Sequence, residues 1–265
     1  MKDPRGQSPF FGTESLAVTA EARRKHPTAF ALADEVVEYM NWKSDDLTAS
    51  TGNLQQVLIV SLLPRLFTAF QACVLCCERG LEAEAFLTAR KVVELTFKIV
   101  AISKSRDAAR RYVKSDEVQR RNALKKLKSL QTVQHPTKTM EEIDRLHSEA
   151  EQKVRAEQLH EMNTRDFAKD ADLLDWYNTA YAYFSISAHA NVRDLESILE
   201  KDATGEIETV RYGPELNLQS SILATAAESA ILSLEASTTV MRSGAVGVRT
   251  LRRKLVLLAE ELSVA

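Results

Sequence analysis

The chain has 265 residues, 45% of them hydrophobic and 27% charged, with a formal net charge of −2. That is the profile of a folded globular protein long enough for one large domain or two small ones. Its 8 glycines and 6 prolines amount to about 5% of the residues, against roughly 12% in average proteins. Many short strands need many turns, so a β-sandwich or barrel is excluded. The near-neutral balance excludes a uniformly basic nucleic-acid scaffold and leaves room for a local basic patch.

Helical periodicity runs from end to end. The N-terminus, MKDPRGQSPFFG, has no apolar core of the kind a signal peptide carries, which sets the expectation of a cytoplasmic protein. Residues 1–50 read as a helical N-terminal arm, with an amphipathic helix from Ala29 to Trp42 after the breaker His26-Pro27-Thr28. The polar run Lys43 to Asn53 reads as a linker. Residues 51–265 then read as one helical bundle. Leu54 to Arg79 is strongly apolar, with a kink expected at Pro64 and Gly80 just past its end as the C′ residue. Leu81 to Ser103 follows at once, so the two should form an antiparallel hairpin.

Val57 to Cys77 contains 21 residues and a single formal charge, Arg65. A central arginine costs about 2.5–3.5 kcal/mol on membrane-insertion scales. Ser61, Arg65, Thr68 and Gln71 also recur as one narrow polar stripe, the pattern of a central helix in a soluble bundle. A membrane span is therefore not expected. Cys73, Cys76 and Cys77 lie on this helix with no histidine near them in sequence, too few ligands for a structural zinc. They read as small apolar core residues, and no metal or cofactor is expected.

The next two segments have opposite signs. Arg106 to Lys128 carries nine basic residues against three acidic ones, and Glu141 to Glu161 carries seven acidic residues against three basic ones. Such neighbours complement one another, within the chain or across a homodimer. RNA contact by the basic arm is the other reading, with Arg110, Arg111, Lys114, Arg120, Arg121 and Lys125 as its residues. Tyr112 is the one aromatic interleaved among them. Asp172 to Glu200 is again apolar and is expected to run through the middle of the fold beside Leu54 to Ser103. The stretch Ala203 to Glu215 breaks the helical pattern; Ile207 to Tyr212 alternates, which predicts a small hairpin or extended loop. Helices over Leu216 to Met241 and Val246 to Leu262 close the chain. The fold class predicted is an all-α, antiparallel bundle of about seven to nine helices.

No P-loop, dinucleotide fingerprint or nucleophile elbow is present. Of the histidines, which can exchange protons near neutral pH, His26 and His135 precede prolines in breakers, and His147 and His160 lie in the charged region. His189 falls in the predicted central helix, one turn after Ser185 and one before Arg193. Arg90, Glu94 and Lys98 share a face at four-residue spacing. Pointing inward, Arg90 and Glu94 would join Ser185 and His189 in a buried polar network or a site; pointing outward, they would form a surface ladder.

GLEAEAFLTARKVVELTFKIV, within Leu54 to Ser103, and the later YAYFSISAHANVRDL resemble the uncharacterised bacterial all-α family known as domain of unknown function 5677. The positions that carry the likeness are Gly80, Arg90, Glu94, Ser185 and His189, in about two thirds of the chain. The layout is also similar to the HEPN superfamily, many of whose members are metal-independent ribonucleases in toxin and phage-defence systems. Those use Arg, four to six residues, then His, at a dimer interface. The pattern occurs once here, as Arg155 and His160 in RAEQLH; at His189 the order is reversed, with Arg193 following. Two functions stay open. One is a HEPN-like RNA-targeting effector in bacterial stress or defence, a metal-independent ribonuclease with His189 as acid/base and Arg90 as phosphate ligand, flanked by Glu94 and Ser185. The other is a non-catalytic helical binding or scaffold protein in which those four residues fix the core.

Overall fold

The computed structural model describes residues 10–45, 47–129, 140–186, 192–196, 198–210, 212–242 and 246–264. It is all-α with one small hairpin. Helices α1 (Glu14–Lys25) and α2 (Pro27–Ser44) meet at His26. Proline suits the first turn of α2, where its missing N–H has no intrahelical acceptor. The His26 ring ties this turn across the fold: Nε2 lies 3.0 Å from the Leu216 carbonyl, and Nδ1 lies 2.7 Å from the Ser220 hydroxyl. A carbonyl can only accept, so Nε2 carries the proton and, in the neutral ring, Nδ1 accepts from Ser220. Arg23 binds Asp34 at 2.8 Å and Glu78 at 2.6 Å and covers the Phe30 ring, which fastens α1 to α2 and to the next helix.

Helix α3 (Leu54–Glu78) starts at Asn53, whose side chain accepts from the Gln56 N–H. It is long and apolar enough to cross a membrane, with a mean hydropathy of 1.8. Here it packs against α1, α2 and three later helices, with Ser61, Arg65 and Thr68 on its exposed side. The Thr68 hydroxyl donates to the Pro64 carbonyl, and the helix continues through the proline. Cys73 and Cys77 are buried and Cys76 is half-buried. Burial pushes the Cys76 thiol up to about 11, and the Cys73 neighbour together with burial raises Cys77 further, which disfavours the thiolate at Cys76 and Cys77.

The helix ends as the sequence predicts. The Leu81 N–H reaches the Cys76 carbonyl at 2.9 Å, the Gly80 N–H reaches that of Cys77 at 3.2 Å, and Gly80 has φ +66°. This is a Schellman cap. Helix α4 (Glu82–Lys104) then returns antiparallel: Gln55 donates to the Ile102 carbonyl at one end and Cys73 to that of Ala85 at the other.

Ser105 separates α4 from α5 (Arg106–Ser129) and caps it, its hydroxyl accepting from the Ala108 N–H. Helix α6 (Met140–Ala156) runs back along α5. The charge complement is met within one chain, through Lys153–Glu117 at 2.6 Å, Lys128–Asp144 at 3.0 Å and Arg121–Glu151 at 3.7 Å. Beneath these pairs, Leu124, Ile143 and Ala150 form a small core of their own.

The largest departure from expectation is the segment Asp172 to Glu200, which is not a central helix. After α7 (Thr164–Asp170), the chain forms α8 (Leu174–Trp176), a π-helical turn (Tyr177–Tyr181) and α9 (Ala182–Phe184). The short α10 (Val192–Glu196) follows, then β1 (Leu199–Lys201) paired antiparallel with β2 (Ile207–Val210). Among its described residues only Phe184 is buried; Tyr183 is 50% and Val192 71% exposed. The hairpin thus opens earlier than the predicted 203–215, using residues expected to be helical. Its turn is held by Asp202, which accepts from the Thr204 and Glu206 N–H groups.

The third core helix is instead α11 (Gln219–Met241), which packs against α4, α3, α2 and the closing helix α12 (Val246–Val264). Its buried face is Ile222, Leu223, Ala226, Ala227, Ala230, Ile231 and Leu234, with Ser229 and Ser233. Small side chains let α11 approach α4 closely. The aromatics Trp176, Tyr177 and Tyr181 hold their own segment at the rim of the core.

Candidate functional site

The α4 face bearing Arg90, Glu94 and Lys98 looks toward α7 and the π-helical turn. Arg90 Nη2 donates to the Tyr181 hydroxyl at 2.6 Å, and the guanidinium lies 4.8 Å from the Tyr181 ring centroid. Tyr177 stacks on Tyr181 with centroids 5.2 Å apart. In an α-helix, residues four apart are offset along and around the axis; the wider π turn brings these two rings face to face. Glu94 binds Lys98 at 2.6 Å and Lys91 at 3.3 Å. The Ser185 hydroxyl turns back to the Tyr181 carbonyl at 2.6 Å. Arg90 and Glu94 are therefore committed to different partners, and no direct bond joins them. His189 lies outside the described residues, as does the side chain of Arg193.

Burial pushes the Glu94 carboxyl up, but the Lys98 ammonium outweighs it, with help from Lys91, and holds the group below its ordinary 4.5. A depressed carboxylate stabilises the fold above its unfolded value and loses that contribution as pH falls through the folded one. Glu94→Gln leaves half-buried Lys98 without its counter-charge. It should cost about 1–2 kcal/mol at pH 7, and the difference from the parent should shrink as pH falls below the ordinary carboxylate range and Glu94 takes up its proton, followed by urea unfolding across an acid pH series.

The six predicted RNA contacts on α5 divide into two groups. Arg111 binds Asp107 and Asp170, Lys114 binds Glu157, and Arg121 binds Asn122 and Glu151. Arg110, Arg120 and Lys125 are exposed and have no acidic partner among the described residues; Arg106, which was not among the six, is the same. Arg155 binds Glu151, and His160 lies beyond the end of α6, past Gln158 with φ +49°. The RAEQLH pair thus does not share a helix face. Among the described residues, no group of three His, Cys, Asp or Glu side chains is placed to hold a metal.

Residues 56–207, more than half of the chain, match the family of unknown function DUF5677. The chain belongs to this family. The DUF5677 span includes Arg90, Glu94, Ser185, His189 and the whole of α5, and it stops before α11. No curated protein and no solved structure matches the chain. Two features of this DUF5677 protein were missed in the sequence: Tyr181 as the partner of Arg90, and the cleft in which Tyr112 sits. The first had a signal, since Tyr177 and Tyr181 repeat the four-residue spacing of Arg90 and Glu94.

Proposed function

We propose that this protein binds single-stranded RNA through the outer edge of α5, and that it acts by binding rather than by cleavage. The observation that carries the reading is the division of charge on α5. Acids on α6, α7 and the turn after α6 neutralise Arg111, Lys114, Arg121 and Lys128 of α5, while Arg106, Arg110 and Arg120 stay exposed without a carboxylate partner among the described residues. Unpaired arginines on a helix edge suit phosphate, which they grip through paired N–H groups. The binding reading over the ribonuclease is supported by the engagement of Arg90 Nη2 with Tyr181, of Glu94 with Lys98 and of Ser185 with the Tyr181 carbonyl; buried Arg90 Nε has no partner among the described residues. In this reading Arg90 and Ser185 brace the π-helical turn, and Glu94 holds Lys98 on α4.

Reversing the charges of Arg106, Arg110 and Arg120 to Glu should weaken binding of a single-stranded RNA about 30-fold. It should also flatten the dependence of log K on log salt by about 2, since each phosphate contact on a single strand contributes about 0.7. Fluorescence anisotropy across a salt series measures both, and the labelled RNA should stay intact. Unchanged affinity in the triple variant would refute the assignment, and RNA cleavage that His189→Ala abolishes would restore the ribonuclease.

A further inference from the structure

A cleft of about 310 Å3 opens beside the arginine edge, lined by Lys98, Tyr112, Ser115, Asp116, Met162 and Phe167 and flanked by Val113 and Gln119. Its floor is preformed. Tyr112 and Phe167 meet edge to face with centroids 5.5 Å apart, and the Met162 N–H donates to the Ser115 hydroxyl at 2.9 Å. On one wall the Lys98 ammonium is held by Glu94 at 2.6 Å. At the mouth, the exposed side chains of Asp116 and Gln119 have no partner among the described residues.

The cleft and the arginines share one helix. Arg106, Val113 and Arg120 recur every seven residues and so lie nearly in line, and Val113 is on the rim of the cleft. At 1.5 Å per residue, the Val113 rim of the cleft has an arginine about 10 Å away in each direction along α5. A strand held by its phosphates at both arginines passes along this rim, from which one base can turn into the cleft. Recognition of single-stranded RNA commonly works this way, with an unstacked base laid on aromatic side chains and its edge read by polar groups.

We infer that the Tyr112 cleft is a base pocket of the RNA-binding edge, selective for a base that presents an exocyclic amine to Asp116. The inference rests on the RNA-binding reading above. The ionised carboxylate of Asp116 accepts and cannot donate. The 4-amino group of cytosine suits it, whereas the 4-oxo group of uracil would set two acceptors against each other. The two bases are nearly the same size, so the comparison isolates this contact.

Anisotropy with labelled ten-nucleotide oligo-rC and oligo-rU tests it on the full chain. The parent protein should bind oligo-rC about tenfold more tightly. Asp116→Ala, at an exposed helix position, should erase that preference by weakening oligo-rC and strengthening oligo-rU, with the melting temperature unchanged. If both oligomers bind equally well to the parent, or if Asp116→Ala keeps the preference, the pocket is wrong and the RNA-binding edge stands. Failure of both oligomers to bind overturns the edge and the pocket together.

Discussion

Gly80→Ala should destabilise the protein by about 3 kcal/mol, a fall in melting temperature of roughly 8 °C for a chain of this size. Two effects add. Gly80 has φ +66°, a left-handed conformation that costs an L-residue roughly 1–2 kcal/mol. A Cβ at this position would also lie 2.6 Å from Pro214 Cβ and 2.9 Å from Pro214 Cα. The Glu215 N–H donates to the Gly80 carbonyl at 2.9 Å, so the 214–215 backbone is fastened to the place where the new methyl would go. Relief would require opening the α3–α4 hairpin or releasing the lead into α11. Gly213→Ala is the matched control: a Cβ there meets nothing within 4 Å, and its φ is not in the left-handed range. Thermal unfolding of the two variants should differ sharply. Equal melting temperatures would mean that the contact between Gly80 and Pro214 does not form.

Ser233→Leu should have a comparable effect, again about 3 kcal/mol, by forcing α4 and α11 apart. Ser233 and Thr96 are fully buried. The Ser233 hydroxyl lies 2.9 Å from Thr96 Oγ1, and the Thr96 hydroxyl reaches the Ser229 carbonyl at 3.0 Å and that of Val92 at 2.9 Å. Leucine adds volume where Ala226 and Ala230 already keep the backbones close, and it removes a polar partner. Ser233→Ala separates the two contributions. It keeps the close approach and loses only the hydroxyl, which should cost about 1 kcal/mol. Chemical denaturation resolves the difference; if the two variants lose the same amount, volume does not limit this interface.

Much of the architecture was legible because it rests on short-range rules. The Gly80 cap, the α3–α4 hairpin, the solvent-facing stripe of Ser61, Arg65 and Thr68, and the opposite charges of α5 and α6 all follow from periodicity and from residues within a few positions of each other. The candidate site was less so. Four-residue spacing put Arg90 and Glu94 on one face, and they are there, but spacing cannot say what faces them. Arg90 found an aromatic hydroxyl and Glu94 found two lysines. Tyr112, the one aromatic interleaved among the α5 cations, stands in a cleft between α4, α5 and the 162–167 segment, a setting that spacing along the chain cannot reveal.

The sequence by itself determined that this chain is helical, where most of its helices begin and end, and which of them carry charge. Only the tertiary structure decided which apolar segment becomes the third core helix. Asp172 to Glu200 has the bulkier and more aromatic side chains, yet the Ala- and Ser-rich α11 takes the place against α4. The physical reason is that an interior position is won by close fit between backbones and their small side chains, a property of two surfaces together. Hydrophobicity is counted along one strand of sequence and carries no information about the partner's shape.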